Sequence, residues 1–216
     1  ENGVMTSLDS LSQLELFGEV CNQMEIAPEN RKCAVRINPG VGAGHHEKVV
    51  TGGKKTKFGI AEYSIPQIFE IAEKYQITIA GINQHIGSLF MDPQPYLDAV
   101  TNLLRIAHQF KNLEFIDFGG GYGIPYHKLD DEKDFPMEDF KSRLEPILDE
   151  FVASYGKAPL FKSEPGRYCV AEGSVILGRV HATKENSGIQ FAGSDIGMNV
   201  LVRPSMYDSH HDIEVF

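Results

Sequence analysis

The sequence predicts an α/β fold, a parallel sheet with crossover helices that runs into an all-β region, and three observations carry this. Short β-rich runs alternate with longer segments whose apolar residues recur at three- and four-residue spacing. The alternation stops near Cys169, after which strand-like runs follow one another without a helical pattern between them. Unusual residues sit just past the strand runs, which is where parallel α/β folds gather their sites.

Taken in order, Ala34–Asn38 reads as a strand closed by Pro39-Gly40. Residues 42–57 make a Gly/Lys/His-rich loop that is long for a connection of this kind, and long loops in compact domains commonly carry function. Pro66 opens a helix through Tyr75, with Ile65, Ile68, Phe69 and Ala72 on one face. Gln76–His85 is the next strand, and Pro95 opens a second helix through Phe110 with Leu97, Val100, Leu103, Leu104 and Ala107 in one stripe. Leu113–Phe118 is a third strand, Met137–Tyr155 a third helix and Ala158–Lys162 a fourth strand. The order βαβαβαβ calls for a parallel sheet rather than a sandwich or a bundle. Val170–Thr183 and Gly188–Asp195 then read as strands of a second domain, which divides the chain into residues 1–170 and 171–216.

Composition narrows the function. With 216 residues and 42% hydrophobic content the chain can bury a core, which excludes a disordered protein. A net charge of −10 offers no footprint for a polyphosphate backbone, so nucleic acid is not expected as a partner. Cys21, Cys33 and Cys169 are odd in number and far apart, which indicates neither a disulfide framework nor a zinc site and fits a reducing cytoplasm. No apolar run approaches the roughly 18 residues of a membrane span, and no signal-peptide pattern opens the chain. The chain starts at Glu1 and stops in the alternating run Ile213–Phe216, so both ends read as cut.

Four motifs carry chemistry. Gly119-Gly120-Gly121, with Gly123 two residues on, is a backbone without Cβ atoms whose N–H groups can converge on an anion; a flexible turn is the alternative. Its spacing is not the dinucleotide fingerprint. His85 ends a strand and is followed by Ile-Gly-Ser, which suits an imidazole at the mouth of the sheet with Ser88 as a hydroxyl donor, or a hydrogen-bonded core histidine. Glu164-Pro165-Gly166-Arg167 sets a carboxylate at a strand end, and a buried carboxylate needs a cation: either Arg167 itself or a protonated ring nitrogen, with Arg167 then free for an anion. Arg203 and Tyr207 add a guanidinium and a phenol four residues apart, the default for which is a surface loop. Zinc through His45, His46, His85, His210 and His211 is disfavoured, because the pairs lack helix-face spacing and no thiolate accompanies them, so no metal is expected.

Six segments in order, VRINPG (35–40), TGGKKTKFGI (51–60), NQHIGS (83–88), DFGGGYGIPY (117–126), SEPGRY (163–168) and SDIGMNVLVRPSMYDSHHDI (194–213), resemble the fold-type III pyridoxal-phosphate-dependent decarboxylases. The NPG, TGxxxxKFG and RPxxY elements are similar to the branch that acts on diaminopimelate. The resemblance implies the C-terminal half of a (β/α)8 barrel followed by the start of an all-β domain, since a complete barrel takes about 250 residues. It implies pyridoxal 5′-phosphate as cofactor and decarboxylation of meso-2,6-diaminopimelate to L-lysine in a homodimer with a shared site. By the same resemblance His85 would stack on the ring, and Ser88, Gly119, Gly120, Gly121, Gly123 and the Pro165-Gly166-Arg167 backbone would hold the phosphate. Glu164 would meet the pyridinium nitrogen, and Arg167, Arg203 and Tyr207 would hold a substrate carboxylate. The family's Schiff-base lysine has no counterpart here, since Lys54, Lys55 and Lys57 do not match its motif, and the Cys-Glu-Ser element is also missing, so this segment alone is not expected to turn over. The alternatives are another amino-acid substrate in the same family (D-ornithine, D-lysine, arginine or carboxynorspermidine) or an inactive homologue that binds a phosphate ligand.

Overall fold

The computed structural model describes residues 4–38, 40, 56–128 and 132–216. Among these, five parallel strands lie side by side in chain order: β1 (Ser7–Leu8), β2 (Lys32–Arg36), β3 (Thr78–Asn83), β4 (Phe115–Asp117) and β5 (Leu160–Lys162). Helices α1 (Leu11–Gln23), α2 (Ile65–Tyr75), α3 (Gln94–Ala107) and α4 (Met137–Tyr155) run between them. A strand order that never reverses is an arc of a β/α barrel, because a doubly wound sheet changes direction part-way across. Beyond β5 come a short helix α5 (Gly166–Val170), an antiparallel pair β6 (Val180–Asn186) and β7 (Ile189–Ser194), and a short helix α6 (Arg203–Tyr207). The two-residue turn between β6 and β7, Ser187-Gly188, has positive φ at both positions, as the right-handed twist of a tight hairpin requires.

Two sequence expectations change. A β1–α1 unit precedes Ala34, where the sequence reading began, so the arc has five strands and not four. Its signal was present: the Ser10 hydroxyl caps α1 by accepting from the Gln13 N–H at 3.3 Å, and Leu14, Gly18 and Cys21 recur on its buried face. The predicted strand Val170–Thr183 forms only from Val180 onward. Val170 closes α5, Ala171–Gly173 is a single 3-10 turn, and Val175, Ile176 and Leu177 are exposed. β-rich composition makes a strand only where a neighbouring strand supplies the ladder, and β7 reaches back only to Val180. The remaining elements differ at their ends: β2 stops at Arg36, and α3 stops at Ala107 rather than Phe110.

Period-two alternation gives the sheet two faces. Val35, Ile82 and Ile116 are aligned across β2–β4, are fully buried, and join the core cluster formed with Ile65, Ile68, Val100 and Leu103 of the helices. The opposite face carries Ala34, Gly81, Phe115 and Leu160 in register, and on it Leu160 is 62% exposed. This is the barrel-interior side. Cys33 is fully buried, and burial pushes its thiol up to about 12. Among the described residues no helix is long and apolar enough to cross a membrane.

The α1–α2 contact turns on Gly18, where an added Cβ would lie 2.2 Å from Tyr75 Cγ. Replacing a mid-helix glycine by alanine gains about 1 kcal/mol of helix preference. Forcing a methyl into a packed contact costs about 1–3 kcal/mol. The second effect wins, because Tyr75 is buried and cannot swing away. Gly18→Ala is therefore expected to lower the melting temperature of the full-length protein, and an unchanged or raised value would contradict this packing.

Candidate active site

The C-terminal ends of the strands build a polar row. One step past Ala34, Gly81, Phe115 and Leu160, the same face presents Arg36, Asn83, Asp117 and Lys162, aligned strand to strand. The row continues sideways: Arg36 lies 3.8 Å from Asp9, and the Ser7 hydroxyl donates to Asn83 Oδ1 at 2.6 Å. The Lys162 ammonium turns back over the Phe115 ring, 3.7 Å from its centroid. Glu164 follows two residues after Lys162 and has no carboxylate ion-pair partner among the described residues. Burial pushes its carboxyl above the usual range, Asp117 raises it further, and Arg36 partly opposes them. Burial lowers the His85 imidazole, with Arg36 adding to the effect and Asp117 and a hydrogen bond to the Gly87 backbone opposing it. His85 is accordingly neutral near pH 7.

Three loops meet above this row. The β4 loop is wedged between the loops that follow β3 and β5, and its glycines are what let the backbones approach. A Cβ on Gly119 would lie 2.4 Å from the Gln84 carbonyl oxygen, one on Gly120 1.9 Å from that of Glu164, and one on Gly121 2.2 Å from that of Gly87. Gly119 and Gly121 also hold φ of +74° and +110°. The N–H groups are partly committed within the chain: Gly119 donates to Asp117 Oδ1 at 2.9 Å, Gly120 to His85 Nδ1 at 3.3 Å and Gly123 to the Phe90 carbonyl at 2.9 Å. Among the described residues nothing accepts from the Gly121 N–H. Loop packing is thus the first reason for the glycine run, and only part of it remains for an anion.

Arg167 turns away from Glu164. Its Nη1 donates to the Tyr126 hydroxyl at 2.6 Å and its Nη2 to Ser88 Oγ at 3.0 Å. Arg203 stands over the Tyr126 ring, 4.6 Å from its centroid, with Nη1 2.9 Å from His211 Nε2. Burial, then Arg203, lowers the His211 imidazole, so it accepts this bond as a neutral ring. Arg167 Nε and Arg203 Nη2 are buried without a hydrogen-bond partner among the described residues. Two guanidinium groups on one tyrosine, each with an unanswered N–H, form a cationic pocket that a planar anion would complete.

The structure therefore brings His85, Ser88, Gly119–Gly121, Glu164 and Arg167 to one mouth, with Arg203 arriving from the C-terminal region. Tyr207 is half-buried one turn after Arg203 on α6. His45, His46, Lys54 and Lys55 lie outside the described residues, as does most of the 42–57 loop. Sequence reasoning missed Arg36 and Asp117, whose charges act on Glu164 and His85, Asp9, which lies against Arg36, and Tyr126, which both arginines share. Period-two alternation counted from Ala34 was the available signal for the polar row.

Residues 1–171 match the family described as pyridoxal-dependent decarboxylase, pyridoxal binding domain. Over the whole chain the sequence is 42% identical to a diaminopimelate decarboxylase of Methanothermobacter thermautotrophicus, of which it covers 50%. It is 34% identical to one of Archaeoglobus fulgidus over 99% of the chain and 50% of that relative. The crystal structure of diaminopimelate decarboxylase from Helicobacter pylori complexed with L-lysine superposes with a TM-score of 0.83 at 28% identity, over 96% of this chain and 50% of that one. The chain thus spans about half the length of the relatives it matches.

A carboxyl whose folded value is raised binds its proton more tightly folded than unfolded. Its favourable contribution to stability is full below the usual carboxylate range and is lost as pH rises through the raised value. In Asp117→Asn the oxygen that accepts from Gly119 is retained and the like charge goes, so the Glu164 titration should move down in pH. Carbon-13 NMR titration of side-chain carboxyls in the full-length protein measures this; an unmoved Glu164 would remove Asp117 from the account.

Proposed function

Because the chain belongs to the pyridoxal-dependent decarboxylases, through their pyridoxal-binding domain, and its cofactor is pyridoxal phosphate, we propose that it forms the cofactor-binding part of a decarboxylase acting on meso-2,6-diaminopimelate to give L-lysine. The observation that carries this reading is the pairing, at one mouth, of an anion-seeking pocket with a carboxylate that has no ion-pair partner among the described residues. Those residues fit pyridoxal phosphate: the Gly121 N–H, from which nothing accepts among the described residues, suits its phosphate, and Glu164 suits a protonated ring nitrogen. When bound, the cofactor supplies an electron sink for the pair left as the Cα–carboxylate bond breaks.

The chain's own residues divide the remaining work. His85, held neutral and tied to Gly120, would pack against the ring and shield it from water. Ser88, the Gly119–Gly123 turn and the Pro165-Gly166-Arg167 backbone hold the phosphate, with the Arg167 side chain closing one side. Glu164 keeps a proton on the ring nitrogen through a charge-assisted bond. Arg203 and Tyr207, with the free edge of Arg167, hold a substrate carboxylate in the planar fork that guanidinium provides. The L-lysine bound to the Helicobacter pylori relative, and the shared names of the relatives, support diaminopimelate over other amino acids. We take residues 1–170 as the barrel part and 171–216 as the start of a β domain, and the whole protein as a cytoplasmic homodimer.

Two measurements on the full-length protein test this. Decarboxylation of meso-diaminopimelate should exceed that of D-ornithine and D-lysine; activity on either of those and none on the first would transfer the assignment to another branch. A hydrogen bond to a charged group is worth about 1.5–3 kcal/mol, which is about 10- to 150-fold in rate. Glu164→Gln should lower kcat by that factor while pyridoxal phosphate affinity changes only a few-fold, and equal kcat in the two proteins would refute the ring-nitrogen role.

A further inference from the structure

The peptide that joins Gly119 to Gly120 is gripped at both ends. Its carbonyl accepts from the Tyr96 hydroxyl at 3.2 Å, the Ser163 hydroxyl at 3.1 Å and the Glu164 N–H at 3.0 Å. Its N–H donates to His85 Nδ1 at 3.3 Å. One layer further back, the Tyr122 hydroxyl donates to Tyr96 Oη at 2.9 Å and lies 2.9 Å from Ser163 Oγ. Tyr96 is fully buried and Tyr122 is 5% exposed, and burial raises both phenols, so both keep their protons.

Three hydroxyl protons serve these contacts. Since Tyr122 donates to Tyr96, the proton of Tyr96 is left for the Gly119 carbonyl. Ser163 adds its own proton to the same oxygen or to Tyr122. Phenylalanine would fill either ring's place among Phe90, Phe135 and Phe140, so the rings alone do not account for two buried phenols. Donors on a carbonyl strengthen the donor power of the N–H on the same peptide. Here that N–H ends on an imidazole.

We propose that Tyr96, Tyr122 and Ser163 are positioning residues that act through the Gly119–Gly120 peptide to fix the His85 ring, with Nδ1 as acceptor and the proton on Nε2. The proposal rests on the reading of His85 as the face that meets the cofactor. Its reach is set by the chain of hydroxyls and not by contact, because none of the three needs to touch the cofactor.

The test uses full-length protein freed of cofactor and labelled with nitrogen-15 at histidine, together with titration by pyridoxal phosphate. In the wild type, His85 should show one acceptor-type and one protonated ring nitrogen. In Tyr96→Phe/Ser163→Ala the two shifts should draw together as the tautomers mix, and the pyridoxal phosphate Kd should rise about tenfold, the equivalent of about 1.4 kcal/mol. Tyr122→Phe, which leaves both direct donors in place, should give a smaller change of the same sign, and Ser163→Thr should restore the wild-type signals to Ser163→Ala. Unchanged His85 shifts in folded variants would overturn the proposal whatever the affinity. Shifts that move as stated in the variants, alongside a wild-type protein that does not take up pyridoxal phosphate, would support the hydroxyl chain and overturn the cofactor reading instead.

Discussion

Everything at the mouth of this arc depends on one close approach, that of the β4 loop to the loops on either side of it. The Gly119 carbonyl is the point where the approach is made good, since it takes donors from a helix, from a strand end and from the backbone of the next loop. A side chain at 120 would collide with the Glu164 carbonyl before any of these bonds formed. Holding that peptide fixes the direction of two groups: the Glu164 backbone, from which the carboxylate hangs, and its own N–H on Gly120, which meets His85.

Electrostatics follow from strand order. Because β2–β5 are parallel and adjacent in sequence order, Arg36, Asn83, Asp117 and Lys162 fall at one height on one face, two residues past the apolar row. That alignment puts a cation and an anion under the same carboxyl, and the anion together with burial outweighs the cation. Glu164 is left seeking a proton or a positive partner. On the far side of the mouth the guanidinium groups of Arg167 and Arg203 share Tyr126 and seek the opposite charge. A ligand with a cationic ring and anionic ends answers both.

The helices of the arc were legible because their stripes are set by burial: Met137–Tyr155 was read to the residue, and α2 to within one. Positions just after strands were legible as a site because parallel sheets leave them nowhere else to point. The β1–α1 unit was not read, though Ser10 and the Leu14–Gly18–Cys21 spacing announced it, because a two-residue strand gives no alternation of its own. Val170–Thr183 misled because apolar and β-branched residues describe what a strand tolerates, whereas pairing needs a partner. The glycine run was read as an anion nest. Its geometry shows a demand that sequence cannot display, since what a missing Cβ avoids lies in loops about 35 and 44 residues away. Tyr96 and Tyr122 were given no role in the sequence reading, because their hydroxyl partners also lie far along the chain.

The span of these contacts bears on the order of assembly. Arg167 meets Ser88 across 79 residues, and Asp212 accepts from the Lys128 N–H at 3.0 Å across 84. The other contacts of the arc, by contrast, join elements that neighbour one another in sequence: each strand pairs with the next, α1 packs on α2 and α3 on α4. Closing a long loop is entropically opposed until the contact it serves is made. Neighbouring elements of the arc can therefore collapse first as local pieces, while the pocket shared by Arg167, Tyr126 and Arg203 forms only when the C-terminal segment has docked. A cofactor arriving early would find the His85 side of its seat built and the Arg203 side still open.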